Sequence, residues 1–315
     1  MKRFILIIIL INLYLLSFAQ KDSLGIYQHQ QKLIIIPQYN YTSMYLKIFG
    51  KKESIQYRPR QSQSVGLEVS YKWLGVGLSY GIFDDSNNAL ENKIVNYDFR
   101  FDFFFKRFFI NSNFQYFKGF SIQDPPEGFS TEEIEKLNPN LELSNIGINM
   151  IYALNKNYSF KAIYKNNGRL NSSRGTFLGG LSQYYTRLSS KTSFYPDEIL
   201  KLTKIKTYSS FGKFYSIFLV LGYQYAFIYK KWYIAPSAII GSGTQYQNYI
   251  YNENIYRKEF QFAYKYIINI PFGYNGDKYF YGLTYNYDNN RMLIENARMN
   301  MQFSSLKVFF GMRFL

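Results

Sequence analysis

The sequence predicts an all-β transmembrane protein, an antiparallel up-and-down β-barrel of about 12–14 strands that follows a cleaved signal peptide. Three observations predict this fold. Apolar side chains recur at every second residue through most of the chain. Aromatic residues make up 21 % of the 315 residues, whereas charged residues make up only 18 %. The first residues are organised like an export signal.

The N-terminus predicts export. Lys2 and Arg3 precede an apolar stretch from Phe4 to Phe18, and Ala19 offers a small residue for cleavage. The apolar run is about fifteen residues long, shorter than the roughly 20 that a spanning helix needs, which disfavours an uncleaved anchor. We therefore predict that residues 1–19 are a signal peptide, residues 20–32 a short periplasmic leader and residues 33–315 the barrel.

Alternation of apolar and polar residues predicts the strands. From Tyr97 to Phe105 the odd positions are all aromatic, whereas the even positions begin with Asp98, Arg100 and Asp102. A strand points such residues to opposite faces, whereas a helix would spread them around its circumference. The pattern recurs over residues 65–73, 74–82, 108–116, 145–152, 158–165, 214–229, 260–269, 279–287, 296–303 and 306–314. Tyr39–Phe49 and Thr176–Leu188 are weaker candidates.

The two faces of these strands differ in chemistry. The polar face is rich in Gly, Ser, Asn and Gln, which suits a confined lumen. The apolar face is too extensive for the interior of a soluble protein of this size, but it suits a barrel wall that faces lipid. A soluble periplasmic β-protein is the alternative, and its exposed face would carry more Lys, Glu and Thr. The predicted location is the outer membrane.

Turn signals set the strand count. Short turns are predicted near residues 72–74, 105–107, 155–157, 229–231, 289–290 and 303–305. Longer connections are predicted at 50–60, 83–91, 121–140, 166–174, 190–207 and 247–256. Barrels of this type keep short turns on the periplasmic side. A fourteen-strand count places some short turns outside, so the prediction stays at an even number between twelve and fourteen.

Composition excludes several classes of function. The absence of Cys excludes disulfide scaffolds, thiolate metal sites and a lipid-anchored N-terminus. The only His, His29, lies in the predicted leader without Ser or acidic neighbours, so we expect no enzymatic activity. A lipid-modifying barrel enzyme is the alternative that would need this residue. No metal site and no cofactor are expected.

The charged residues on the predicted inward face are candidates for lining the lumen. They are Lys72, Asp98, Arg100, Asp102, Lys161, Lys165, Lys265, Arg298, Lys307 and Arg313. Cations dominate this set, which predicts a polar, net-basic lumen and a narrow pathway for small polar or anionic solutes. Alternatively, ion pairs such as Arg100 between Asp98 and Asp102 fill the lumen. The barrel would then be non-conducting, with a structural or surface-loop interaction role in the outer envelope.

The net charge of +16 also bears on partners. Lys and Arg form no stripe or motif that would indicate nucleic acid. We expect contacts with outer-membrane lipids and lipopolysaccharide through Lys51, Lys52, Arg58 and Arg60, and recognition of the last strand by the barrel assembly machinery. The protein is expected to be monomeric. The pattern indicates no particular solute or protein partner.

Several short motifs suggest a family. They are Tyr57-Arg58-Pro59-Arg60, Tyr71-Lys72-Trp73, Tyr97-Asp98-Phe99-Arg100, Lys118-Gly119-Phe120 and Gly175-Thr176-Phe177. In these segments the chain resembles a Bacteroidota family of outer-membrane β-barrels, domain-of-unknown-function family 4421. The resemblance implies a barrel in the outer membrane. It implies no activity and no catalytic residue.

Overall fold

The computed structural model describes residues 25–27, 29, 33–49, 54–82, 95–105, 107–122, 140–190, 210–251, 255–294 and 297–314. Within these residues the chain forms a closed antiparallel barrel of 12 strand positions. The last strand pairs with the first long strand, for example Val308 with Tyr39, and this pairing closes the barrel. The predicted fold class is confirmed, at the lower end of the predicted strand range.

The secondary-structure elements follow one another along the chain. The strands are β1 (Ile26–Tyr27), β2 (Leu33–Phe49), β3 (Ser54–Pro59), β4 (Gln63–Tyr71), β5 (Leu74–Gly81), β6 (Val95–Phe104), β7 (Phe108–Lys118), β8 (Phe120–Ile122), β9 (Glu142–Ala153), β10 (Arg169–Leu170), β11 (Arg174–Ser189), β12 (Phe211–Tyr229), β13 (Trp232–Ile234), β14 (Ser237–Tyr251), β15 (Ile255–Asn275), β16 (Tyr279–Ile294) and β17 (Ala297–Phe314). One short helix, α1 (Phe160–Tyr164), lies between β9 and β10. No helix among the described residues is long and apolar enough to cross a membrane.

The barrel strands are neighbours in chain order. Strands β3 and β4 share one position beside β2, and β13 and β14 share another between β12 and β15. Strand β3 also pairs with β8, which forms a short ribbon near the end of β7. Strands β1 and β10 pair with each other in a separate two-stranded sheet. The chain segment that contains α1 and β10 is therefore not part of the wall.

Strand β12 shows how the sequence produces the two faces. Leu219 and Leu221 point outward and are 69 % and 68 % exposed, whereas Phe214 and Phe218 point into the lumen and are buried. Apolar side chains with such exposure cannot face water over a whole wall, and a closed barrel is one of the two structures that can span lipid. The exterior therefore faces the hydrocarbon of an outer membrane.

The connections distinguish the two ends of the barrel. Two-residue turns at 72–73 and 230–231 lie at the end where β2 begins and β17 ends. Lys72 and Lys230 have positive φ angles of 52° and 55°, as tight turns between twisted strands require. This end faces the periplasm, because barrels of this type have short periplasmic turns. The longer connections, between residues 82 and 95 and between 190 and 210, lie at the opposite end.

Several sequence predictions of local structure are wrong. The long connections predicted at 50–60 and 247–256 are mostly strand, because β3, β14 and β15 extend into them. Residues 158–165 alternate like a strand, but they form α1 and its flanking turns. The turns predicted at 303–305 and 289–290 are absent, because β17 and β16 run through those positions without interruption. The predicted signal peptide lies outside the described residues, and only residues 25–27 and 29 of the predicted leader are described.

Candidate functional site

The connection between β9 and β11 turns back into the barrel from the periplasmic end. We call residues 154–173 the plug. Its entry is fixed by Asn155, whose side chain accepts a hydrogen bond from the backbone of Asn157 at 3.0 Å and donates one to Gly175 at 2.8 Å. Helix α1 follows at once. The side chain of Ser159 accepts a hydrogen bond from the backbone of Ala162, which caps the first turn.

Apolar packing holds the plug against the inside of the wall. The ring centroid of Phe109 on β7 lies 5.6 Å from that of Phe160 and 5.4 Å from that of Tyr164. Phe160 belongs to a buried cluster that includes Phe218 on β12, and Tyr164 packs against this cluster. The hydroxyl of Tyr164 also accepts a hydrogen bond from Gln224 at 2.8 Å. The plug therefore fills the periplasmic part of the lumen.

A buried ion pair joins the plug to two strands of the wall. The ammonium of Lys165 contacts the carboxylates of Glu68 on β4 and Asp102 on β6. Lys165 and Glu68 are each only 4 % exposed. The neighbouring position on β5 is Gly75, where an added Cβ would lie 3.0 Å from the Lys165 side chain. We call Lys165, Glu68 and Asp102 the deep tie.

A second group holds the plug at the periplasmic rim. The guanidinium of Arg313 on β17 donates hydrogen bonds to the backbone oxygen of Asn166 and to the side chain of Asn275. The side chain of Asn275 donates to the backbone oxygen of Gly168 at 2.8 Å, and its Oδ1 lies 3.3 Å from Nε2 of His29. We call His29, Asn275 and Arg313 the rim tie.

His29 adds a pH-sensitive group to this rim. Its ring is buried and packs edge-on against Tyr27, at 5.2 Å between centroids. Burial, together with the positive charge of Arg313, lowers the pKa of His29 from 6.5 to about 4. The imidazole is therefore neutral at pH 7, and it carries part of the contact between the leader and the rim.

A cavity of about 240 Å³ lies between the plug and the loop end of the barrel. Its walls combine amide, charged and apolar side chains. The amides include Asn113, Gln115, Asn149, Asn286 and Asn290, and the charged residues are Arg100, Asp102, Lys165, Asp288 and Lys307. The side-chain nitrogen and oxygen of Asn290 are both buried without a hydrogen-bond partner among the described residues. Such groups require a polar partner, which water or a small solute supplies.

Toward the loop end, aromatic side chains narrow the lumen. The rings of Phe117 on β7 and Phe303 on β17 meet across it, with 6.0 Å between centroids. Tyr57 and Phe120, on the paired strands β3 and β8, are completely buried. The described lumen is thus filled at the periplasmic end and narrowed toward the opposite end.

Other charged groups of the lumen belong to the wall itself. Arg100 pairs with Asp98 at 2.8 Å, and Lys265 pairs with Asp288 at 3.0 Å. The ammonium of Lys265 also lies 3.7 Å from the centre of the Tyr184 ring. These pairs join neighbouring or nearly neighbouring wall positions, so they do not tie the plug.

The structure separates the ten charged candidates into three groups. The wall residues on the lumen side are Asp98, Arg100, Asp102, Lys265, Lys307 and Arg313. Lys165 reaches the lumen from the plug, and Lys161 lies in α1. Lys72 instead occupies the exposed turn between β4 and β5, and position 298 has the same strand parity as the outward-facing Leu306 and Val308.

This placement changes the expected charge of the lumen. Among the described residues, the cations on the lumen side include Arg100, Lys165, Lys265, Lys307 and Arg313, and the carboxylates are Glu68, Asp98, Asp102, Glu259 and Asp288. The sequence-based set has eight cations because it counts a turn residue, an α1 residue and a position of outward parity. It also omits Asp288. This residue continues the polar face of β16, but it lies beside positions 289–290, where the sequence wrongly predicts a turn.

No group of three or more His, Cys, Asp or Glu side chains within the described part of the chain is arranged to hold a metal ion. His29 contacts Tyr27 and Asn275. These contacts give the ring a packing role at the rim.

A family comparison is consistent with this architecture. The model of the family described as Domain of unknown function (DUF4421) matches residues 21–314. The chain belongs to this family. The family description assigns no activity to the DUF4421 domain, and no curated protein matches the sequence.

Solved structures of similar shape are also known. The outer membrane protease OmpT from Escherichia coli is 6 % identical, with coverage of 93 % of this chain and 99 % of that one and a TM-score of 0.42. The COG4313 outer membrane channel from Pseudomonas putida F1 is 10 % identical, with coverage of 93 % and 100 % and a TM-score of 0.42. The translocator domain of the autotransporter NalP from Neisseria meningitidis is 10 % identical, with coverage of 95 % and 91 % and a TM-score of 0.42.

Proposed function

We propose that this DUF4421 barrel is a plugged outer-membrane channel for small polar solutes, without enzymatic activity. The observation that carries the proposal is the deep tie. A fully packed, permanent filling would be most stable with apolar contacts, because burying an ion pair costs desolvation energy that its attraction only partly offsets. A charged contact between the plug and the wall instead holds the plug in one position, and breaking this contact frees the plug to take a second position outside the lumen.

The cavity supports the same proposal. A volume of about 240 Å³ is smaller than the roughly 300–1,000 Å³ of typical ligand pockets, so it suits water and small solutes. Its amide and charged side chains offer hydrogen-bond donors and acceptors to such solutes. The nearly balanced cations and carboxylates imply only weak preference between anions and cations, which replaces the anion preference expected from sequence.

The decisive experiment removes the plug. A variant in which a short glycine-containing turn replaces residues 156–172 keeps the pairing of β9 with β11, for example Ala153 with Leu178. In planar bilayers we expect rare openings for the wild-type protein and steady conductance steps for this variant. The reversal potential in a salt gradient should lie close to zero.

A second function has its own support. The contact between Phe117 and Phe303 narrows the lumen independently of the plug. A shortened variant that folds, shows heat-modifiable migration and still conducts nothing would contradict the channel. That result would favour a closed barrel with a structural or surface-loop interaction role.

A further inference from the structure

Three cationic side chains lie side by side on the outer wall near the loop end. They are Arg187 on β11, Lys213 on β12 and Lys258 on β15, and all three are exposed. Arg187 is paired with Lys213, Lys213 with Asn248 of β14, and Asn248 with Lys258. Four adjacent strands at about 4.8 Å spacing make this row about 14 Å wide. We call Arg187, Lys213 and Lys258 the cation row.

An aromatic row marks the depth of the cation row in the membrane. Two residues nearer the barrel centre, Tyr185 is paired with Tyr215, Tyr215 with Tyr246, and Tyr246 with Phe260. Aromatic side chains concentrate at the boundary between hydrocarbon and headgroups. Two residues of a strand span about 7 Å, so the cation row lies just outside this boundary, at the level of lipid headgroups.

The wall beneath these rows is strongly apolar. Leu219, Ile240 and Phe262 are 69 %, 69 % and 66 % exposed, and they lie on the same strands as the cation row or between them. Acyl chains can therefore lie against this strip while their headgroup reaches the cation row. The strip and the row together match a lipid rather than a free anion.

No carboxylate among the described residues forms a salt bridge with the row, although Arg187 interacts electrostatically with Glu142 on the neighbouring strand β9. Arg187 and Lys213 flank the ring of Phe211, at 5.5 Å and 5.3 Å from its centre. In contrast, Lys118 on β7 pairs with Glu142 at 2.8 Å. The row thus offers positive charge to an external ligand.

We propose that the cation row binds the phosphate groups of an anionic glycolipid of the outer leaflet. The lipid is a lipid A type molecule, whose sugar headgroup carries two phosphates and whose acyl chains lie on the apolar strip. One phosphate lies between Arg187 and Lys213, and the other contacts Lys258.

Lipid binding by the purified protein in detergent tests the proposal. The triple variant R187Q/K213Q/K258Q removes the row, and K72Q/K230Q removes two exposed cations of the periplasmic turns as a control. The probes are lipid A with two phosphates, dephosphorylated lipid A and inorganic phosphate. Each basic residue near a lipid surface contributes roughly fivefold in affinity. We therefore expect the triple variant to bind bisphosphorylated lipid A roughly a hundredfold more weakly, with the control unchanged.

Several results would overturn the proposal. These are absence of lipid A binding by the wild-type protein, equal binding by the triple variant, and equal binding of the dephosphorylated lipid. Displacement of lipid A by inorganic phosphate at equal concentration would show a site for free anions only. Should the triple variant fail the heat-modifiability check for folding, the three single substitutions replace it, with roughly fivefold weakening expected for each.

Discussion

Among the described residues, two lysines are buried in the lumen, and only one of them, Lys165, lies on the plug. Lys265 lies on β15 and pairs with Asp288 on the neighbouring strand β16, which the backbone ladder already holds in place. Lys165 lies on the plug and pairs with Glu68 and Asp102 on the wall. An ion pair between a buried lysine and a carboxylate therefore has different consequences at the two places. The wall pair adds stability to a fixed surface, whereas the deep tie determines where an inserted segment lies.

The largest expected effect comes from removing both carboxylates of the deep tie. In E68Q/D102N the ammonium of Lys165 stays buried without an anion, which costs about 3–5 kcal/mol in the plugged state. We expect the plug to leave the wall and the amides of α1 to exchange hydrogen orders of magnitude faster. Hydrogen exchange measured by mass spectrometry checks this. Unchanged protection of residues 160–165 would contradict the role of the deep tie.

The matched change in the wall pair should have a smaller and different effect. In K265M the carboxylate of Asp288 loses its cation but remains partly exposed to the cavity. We expect the free energy of unfolding in urea to fall by about 1–3 kcal/mol, with plug exchange as in the wild type. If K265M increased hydrogen exchange of the plug as much as E68Q/D102N does, Lys165 would have no special role in holding the plug.

Acid should loosen the leader at the rim tie. The pKa of His29 is lowered to about 4 in the docked state, against 6.5 when the leader is free. The free leader therefore binds more protons, so docking weakens as the pH falls below 6.5, and the loss is complete below about 4. Hydrogen exchange of residues 26–27 at several pH values measures this. The H29Q variant should lose the pH dependence, and its persistence there would exclude His29 as the cause.

The smallest expected effect concerns the helix cap of the plug. S159A removes the acceptor for the backbone of Ala162 and should destabilise α1 by about 1 kcal/mol. Exchange at residues 162–164 should increase severalfold, and S159T should restore protection because threonine keeps the hydroxyl. Equal exchange in S159A and the wild type would show that packing alone fixes α1.

The wall could be predicted from the sequence because lipid and lumen impose a strict period of two. The aromatic face from Tyr97 to Phe103 and the polar face from Asp98 to Asp102 appear on β6 as expected. The antiparallel barrel and its short turns at 72–73 and 230–231 follow from the same pattern. Alternation depends on nearby residues only, so one sequence is enough to reveal it.

The plug could not be predicted in this way. Helix α1 has five residues, too few to show a period of 3.6, and its apolar residues happen to alternate. The local signals were the cap residue Ser159 and the pair Asn155 and Asn157, which mark a turn and a helix start. When residues 158–165 are not counted as a wall strand, the short turn at 230–231 falls at the periplasmic end, which a fourteen-strand count does not allow. The partners of Lys165 depend on contacts 97 and 63 residues away, which no local pattern contains.

The continuous strand β17 shows a different limit of prediction from the sequence. Ser304 and Ser305 resemble a turn, but Ser304 donates to the hydroxyl of Tyr285 and Ser305 accepts from Asn286 within the sheet. Ser305 lines the lumen cavity, where a small polar residue fits as well as it fits a turn. This ambiguity reversed the faces assigned to positions 297–303, so position 298 has outward parity.

Single-channel conductance of E68Q/D102N beside K265M in the same bilayer tests the central claim most directly. The claim is that the deep tie, and not buried charge in general, keeps the lumen closed. We expect long-lived conductance steps for E68Q/D102N and the rare openings of the wild type for K265M. Folded E68Q/D102N that conducts no more than K265M would contradict the claim, and so would equal opening of both variants.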